Sequence, residues 1–124
     1  ISIMIKILYV EDNEDNVYML SRRLKRKGFE VVVATDGEMG VNMAEKEKPD
    51  LILMDLSLPK IDGWTATKKI KSIENLKSTP IIALSAHAMD EHKQRAMEAG
   101  CNDYDTKPVD IERLLKKIND QLNK

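Results

Sequence analysis

Five polar or charged side chains stand where short apolar runs end, and their types could perform phosphoryl chemistry. Three are carboxylates, one is a hydroxyl and one is an ammonium group: Glu11, Asp12, Asp55, Ser85 and Lys107. Carboxylate oxygens are ligands that Mg²⁺ prefers, and a magnesium ion in a protein commonly shares its coordination shell with a phosphate. Whether these side chains can act together depends on the elements that carry them.

Apolar runs and amphipathic stretches alternate along the chain. Strands are predicted at 5–10, 29–34, 51–54 and 80–84, with a weaker fifth near Tyr104. The first four runs are nearly continuous and rich in Val, Ile and Leu, which is typical of strands covered on both faces. The polar residues above therefore fall at the carboxyl ends of predicted strands.

Five helices are predicted between and after the strands, and capping signals mark their ends. The signals are Gly28 after the first helix, Asp36 before the second, Asp62 before the third, Gly100 after the fourth and Asp110 before the fifth. In the second helix, we expect Met39, Met43 and Ala44 on the inner side.

Alternating strands and helices predict a parallel sheet with right-handed crossovers. The expected fold is α/β and flavodoxin-like, a doubly wound five-stranded sheet of order 2-1-3-4-5 flanked by five helices. Strands 1 and 3 are then neighbours, and ligands bind beyond their carboxyl ends. This topology would bring the three carboxylates, Ser85 and Lys107 to one crevice.

The composition is that of one globular domain, which we expect to span residues 1–124. The chain has 124 residues, a net charge of −1 and a single cysteine. The charge disfavours nucleic acid and anionic membranes as partners, and no apolar run is long enough to cross a bilayer.

One cysteine excludes a disulfide framework, which favours a reducing cytoplasm. Because residues 1–3 precede Met4, we expect them to be a cloning remnant.

Clustered carboxylates need a positive partner. Two of them about 4 Å apart repel by roughly 4 kcal/mol at an effective dielectric of 20, and Lys107 supplies a single charge. Either a carboxylate binds a proton or a cation binds, and an all-oxygen set suits Mg²⁺. Other chemistries fit less well: the P-loop motif is absent, and Ser57 is a poor acid for an aspartate-nucleophile hydrolase.

The chain resembles the receiver domains of two-component response regulators over essentially its whole length. The matching stretches are residues 7–13, residues 50–55, Leu58-Pro59 with Asp62-Gly63, residues 83–86 and Lys107-Pro108. Each stretch alone is weak, but five in order at matching intervals are specific.

The resemblance implies a phosphoacceptor and a metal site. Asp55 would take a phosphoryl group from a phosphohistidine of a sensor histidine kinase or a histidine phosphotransfer protein. Asp12 and Asp55 would ligate Mg²⁺ directly, Glu11 mainly through water, and Ser57 through its backbone carbonyl. Ser57 would also tune the rate at which the phosphoryl group hydrolyses.

It also implies a switch. Lys107 would pair with the Asp55 carboxylate and then with a phosphoryl oxygen, while the Ser85 hydroxyl and the Ala86 N–H contact the phosphoryl group. Tyr104 would rotate inward behind Ser85 and remodel the face formed by helix 4, strand 5 and helix 5, where a downstream protein target would bind.

Two further features follow from the same resemblance. His87 would tune phosphoryl hydrolysis, as Ser57 would, and the Lys107–Pro108 bond would be cis. The leading hypothesis is a signalling switch that is not a turnover enzyme. A phosphorelay intermediate, a receiver excised from a hybrid kinase, a Mg²⁺-dependent phosphohydrolase and a phosphate-independent scaffold remain as alternatives.

Overall fold

A computed structural model describes residues 4–58, 60–86 and 90–124 and shows a five-stranded parallel sheet between two layers of helices. The elements are β1 (Lys6–Val10), α1 (Glu14–Arg26), β2 (Glu30–Ala34), α2 (Gly37–Glu47), β3 (Leu51–Asp55), α3 (Gly63–Lys71), a 3₁₀ helix (Glu74–Leu76), β4 (Ile81–Ser85), α4 (Asp90–Ala99), β5 (Asp103–Thr106) and α5 (Ile111–Leu122). The strand order is β2-β1-β3-β4-β5, so the predicted fold class is confirmed.

Strand register aligns the carboxyl ends of the three central strands. Val10 pairs with Met54, and Asp55 pairs with Leu84 on β4. Ser85, the next residue, pairs with Thr106 at the end of β5. The polar residues that follow or close β1, β3, β4 and β5 therefore emerge at one edge of the sheet.

Two apolar cores, one on each face of the sheet, hold this arrangement rigid. One core lies between the sheet and the helices α2, α3 and α4, and includes Val10, Met54 and Tyr104. The other lies under α1 and α5 and includes Tyr9 and Leu53. Alternate residues of each strand enter opposite cores, as the pleat of a strand requires.

The predicted helix caps are confirmed. Asp36, Asp62 and Asp110 each accept a hydrogen bond from a backbone N–H in the first turn of α2, α3 and α5. Gly28 and Gly100, which follow α1 and α4, have φ angles of +95° and +112°, a region that favours glycine. Within the described residues, no helix is long and apolar enough to cross a membrane.

The inner face of α2 differs from the expectation at one residue, Met39. Met39 is 39% exposed and Met43 is half-buried, whereas Gly37, Gly40 and Ala44 are buried. A Cβ at Gly40 would lie 3.0 Å from a methyl group of Val10. The expected inner side is therefore right for Ala44 and for Met43, which packs against the core, and wrong for Met39. The small Gly40 lets α2 lie close to Val10 of β1.

Burial of the lone thiol gives a pH-dependent stability. Cys101 is buried beside Thr67, and its burial raises the pKa of the thiol from 9.0 to about 11. The unfolded chain therefore loses this proton first, so the folded state loses stability as the pH rises from 9 towards 11. We expect a loss of about 2 kcal/mol at pH 11. Urea unfolding at pH 8 and pH 11 should show that loss in the wild type and a smaller one in Cys101→Ala; equal losses would contradict the assignment.

Candidate functional site

An open crevice lies at the carboxyl ends of β1 and β3, where the topology predicted it. Glu11, Asp12, Asp55, Ser57 and Lys107 all line it, together with the first turn of α1. Glu11 and Asp12 follow β1 directly, Asp55 closes β3 and Lys107 follows β5. The structure therefore brings together the predicted acidic residues and the predicted lysine.

Three carboxylates form the floor and rim of the crevice. Glu11, Asp12 and Asp55 each offer an oxygen, and these oxygens lie within 4.8 Å of one another. Glu11 and Asp55 are almost fully buried, with 1% and 3% exposure, whereas Asp12 is exposed. Two buried carboxylates and one exposed carboxylate can coordinate a cation and leave one side of its coordination shell open to solvent.

Lys107 contacts both buried acids, but not equally. Its Nζ lies 2.8 Å from Glu11 Oε1 and 3.3 Å from Asp55 Oδ2. The predicted pairing with Asp55 is therefore present, and a shorter pairing with Glu11 accompanies it. Both carboxylates raise the pKa of Lys107 against the effect of its partial burial, so the ammonium group stays charged.

Lys107 provides a single positive charge for the two buried carboxyl groups of Glu11 and Asp55. Burial, and then proximity to Glu11, raise the pKa of Asp55 to about 7. Burial also opposes ionisation of Glu11, but hydrogen bonds from Asp55 and Lys107 outweigh it and lower the pKa of Glu11. The pair therefore tends to hold one proton between its two carboxylates near neutral pH.

A magnesium ion fits this donor set. The ligands are hard oxygens, they converge, and their combined charge exceeds what Lys107 neutralises. A divalent cation would replace the shared proton and leave Asp55 ionised, which is the state that a nucleophilic carboxylate needs.

Of the remaining predicted residues, Ser57 lines the crevice and contacts Asp55, while Ser85 and Ala86 lie at the end of β4. The Ser57 N–H donates to Asp55 Oδ1 at 3.1 Å, which fixes one oxygen of the carboxylate. Ser85 is buried at the end of β4, and its carbonyl accepts the Lys107 N–H at 2.7 Å. This contact anchors the backbone of Lys107 next to the site. Ala86, one residue further, is exposed at the same edge.

The predicted switch residue, Tyr104, lies on β5 beside β4. Tyr104 on β5 pairs with Ala83, and its side chain is 6% exposed within the core under α3 and α4. Tyr104 is therefore buried in this core. The Lys107–Pro108 bond is cis, as the resemblance implied. His87 lies outside the described residues.

Sequence reasoning missed two partners of Glu11. Tyr9 donates its hydroxyl to Glu11 Oε1 at 3.2 Å, and Asn16 donates its Nδ2 to the same oxygen at 3.4 Å. Tyr9 stands two residues before Glu11, so the period of a strand places both on one face. The sequence signal for this contact was a tyrosine within a strand that is otherwise rich in Val, Ile and Leu. A tyrosine at such a position is usually an ordinary core residue.

The family of this chain follows from its match to a known family model. The family model described as the response regulator receiver domain matches residues 7–119. The chain belongs to the response regulator receiver domain family. Receiver domains are signalling modules of two-component systems, and the sheet order described above is that of this family.

Relatives of similar length support the assignment of this receiver domain. The polar-differentiation response regulator DivK of Brucella anthropi is 34% identical over 116 residues, covering 94% of each chain. The chemotaxis protein CheY4 of Vibrio cholerae is 31% identical with a TM-score of 0.90, over 95% of this chain and 98% of that one.

A second structural relative bears on the crevice. The receiver domain of a sensor histidine kinase from Pseudomonas aeruginosa is 36% identical, with a TM-score of 0.92 over 98% of this chain and all of that one. That receiver domain has a magnesium ion coordinated in its active-site cleft. The acidic cluster of the present receiver domain is a set that could hold a metal.

Proposed function

We propose that this receiver domain accepts a phosphoryl group on Asp55 and thereby acts as a phosphorylation-dependent switch. The observation that carries the proposal is the convergence of Glu11, Asp12 and Asp55 with Lys107 in one crevice. Phosphoryl transfer needs mostly positioning and charge neutralisation, and this set can supply both. We extend the domain to residues 1–124.

The transfer would proceed from a phosphohistidine of a sensor histidine kinase or a histidine phosphotransfer protein. An Asp55 carboxylate oxygen attacks phosphorus and forms the O–P bond, while the P–N bond breaks and its electron pair returns to the imidazole nitrogen. The products are an acyl phosphate on Asp55 and a free histidine. With one acceptor and no second substrate, the protein is a phosphoacceptor and not a turnover enzyme.

The surrounding groups each have a role in this proposal. Lys107 pairs with Asp55 before transfer and with a phosphoryl oxygen after it. The Ser85 hydroxyl and the Ala86 N–H donate to the phosphoryl group from β4. Ser57, whose N–H already holds Asp55 Oδ1, and His87 tune access of water to the acyl phosphate.

Magnesium would be held directly by Asp12 and Asp55, through water by Glu11, and by the Ser57 carbonyl. When bound, the ion supplies charge neutralisation at the phosphoryl oxygens. The relative from Pseudomonas aeruginosa, with magnesium in its cleft, supports this choice of metal.

The output would be a change of surface. After transfer, the Ser85 hydroxyl moves towards the phosphoryl group and Tyr104 rotates inward behind it, which biases the face of α4, β5 and α5 towards its binding-competent form. A downstream protein would bind that face, in the cytoplasm and without nucleic acid or membrane as partners.

Labelling by a small donor tests the proposal. Incubation with acetyl phosphate should add one phosphoryl group per chain, detected by intact mass, only when Mg²⁺ is present. A label that appears equally in EDTA would contradict the metal role. If the protein consumed many equivalents of acetyl phosphate and no slowly decaying phosphorylated form were detected, a hydrolase would be favoured instead.

Removal of Lys107 should separate metal binding from signalling. Because Lys107 contributes no metal ligand but contacts both buried acids, Lys107→Ala should bind Mg²⁺ at least as well as the wild type, since an opposing positive charge is lost. Phosphorylated Lys107→Ala should fail to gain partner affinity or a changed α4–β5–α5 surface. Calorimetric Mg²⁺ titration and amide exchange measure the two effects; a normal surface change after labelling would contradict this role.

A further inference from the structure

The Tyr9 hydroxyl is a buried group that the proposed transfer does not use. Tyr9 is 1% exposed under α1 and α5, and its hydroxyl donates to Glu11 Oε1 at 3.2 Å. A buried hydroxyl without a partner is destabilising, so this contact restrains both groups. The body of the ring is core, while the hydroxyl reaches the floor of the crevice.

Three donors compete for that one oxygen of Glu11. Lys107 Nζ is closest at 2.8 Å, and the Tyr9 hydroxyl and Asn16 Nδ2 lie at 3.2 and 3.4 Å. A carboxylate oxygen offers about two lone-pair sites. One donor is therefore in excess, and the two neutral donors alone would satisfy the oxygen.

We propose that Tyr9, together with Asn16, is a positioning residue that lets Lys107 leave Glu11 for the incoming phosphoryl group. When Lys107 turns away, the two neutral donors remain on the buried Glu11 oxygen and keep it satisfied. Without them, release of Lys107 strands a buried, charged oxygen, so the lysine stays where it is. This inference rests on the proposed phosphorylation of Asp55.

Conservative variants test the inference. Tyr9→Phe keeps the ring and removes the hydroxyl, and Asn16→Ala removes the second donor from a partly exposed position. Each should slow the initial labelling of Asp55 by acetyl phosphate and Mg²⁺ by about tenfold, the typical worth of a hydrogen bond to a charged group. The matched control is Tyr18→Phe, which removes an exposed hydroxyl that contacts Arg22, and it should label at the wild-type rate.

A double-mutant cycle separates positioning from a general structural effect. In the Lys107→Ala background there is no lysine to release, so Tyr9→Phe should slow labelling no further. Thermal melting followed by circular dichroism establishes that each variant is folded, and Asn16→Ala, whose side chain is not in the core, keeps the test valid if Tyr9→Phe is unstable.

The outcomes distinguish this inference from the proposed function. If the wild type labels and both variants label equally fast, the positioning role is wrong and the phosphoacceptor role stands. If Tyr9→Phe slows labelling as much without Lys107 as with it, the role is wrong as well. If the wild type does not label at all, the proposed function fails and the inference fails with it.

Discussion

Asp55→Asn should take no label from acetyl phosphate while folding normally. The amide is not a nucleophile towards phosphorus and cannot form the acyl phosphate, so we expect the mass increment to disappear completely. Mg²⁺ affinity should fall as well, because one of the three converging carboxylates is lost. Intact mass over time and calorimetric Mg²⁺ titration measure the two effects.

The same variant should be more stable than the wild type in EDTA at pH 8. Burial and Glu11 raise the pKa of Asp55 from 3.8 to about 7, and a group with a raised pKa in the folded state loses its stabilising effect as the pH rises through that value. At pH 8 the wild type therefore bears an ionised, destabilising Asp55, and the amide removes it. We expect a higher Tm for Asp55→Asn at pH 8 and a smaller difference at pH 5.

Asp62→Asn provides the matched control for this prediction. Asparagine caps a helix as well as aspartate does, so α3 should remain intact and labelling should continue at the wild-type rate. Labelling of Asp55→Asn at that same rate would show that the acceptor is another residue. A lower Tm for Asp55→Asn at pH 8 in EDTA would show that the buried carboxylate is not destabilising.

Fold and acidic site could be predicted because both depend on where apolar runs end. In a parallel sheet the order of the strands decides which carboxyl ends are neighbours, so Glu11, Asp12 and Asp55 converge without any contact between side chains being known. Asp36, Asp62 and Asp110 as caps follow from equally local chemistry. These are properties of spacing and residue type.

Other features depend on side-chain geometry that spacing does not contain. Lys107 lies closer to Glu11 than to Asp55, at 2.8 Å against 3.3 Å, and sequence spacing cannot give such a difference. In the hydrophobic pattern, Tyr9 looks like an ordinary core residue. Its link to the site is the short distance between its hydroxyl and Glu11, which the pattern does not contain. Met39 is exposed although the hydrophobic pattern of its helix placed it on the inner side.

Gly63→Ala should lower stability and disturb the site together. Gly63 begins α3, and its N–H donates to the Leu56 carbonyl at 3.2 Å. A Cβ at this position would lie 2.3 Å from the Asp55 carbonyl oxygen and 2.7 Å from the Leu56 Cα. These are backbone atoms of β3 and the loop that follows it, so they cannot rotate away as a side chain could. Either α3 or the end of β3 must move.

One of these movements reaches Asp55, the proposed phosphoacceptor, and the other reaches α4. Displacement of the end of β3 shifts Asp55 itself, and displacement of α3 shifts Trp64, which carries the Arg95 guanidinium of α4 on its ring at 3.9 Å. We expect a loss of at least about 3 kcal/mol in the free energy of unfolding and slower labelling of whatever fraction remains folded. Urea unfolding and intact mass measure these two effects.

Gly28→Ala is the matched control, because the same added methyl group meets a different constraint. Gly28 has a φ angle of +95°, yet a Cβ there would have no atom within 4 Å. Its cost is therefore backbone strain alone, about 1 kcal/mol, and Asp55 should label normally. If Gly63→Ala proved no less stable than Gly28→Ala and labelled as fast, the close approach of α3 to β3 would not be what holds Asp55 in place.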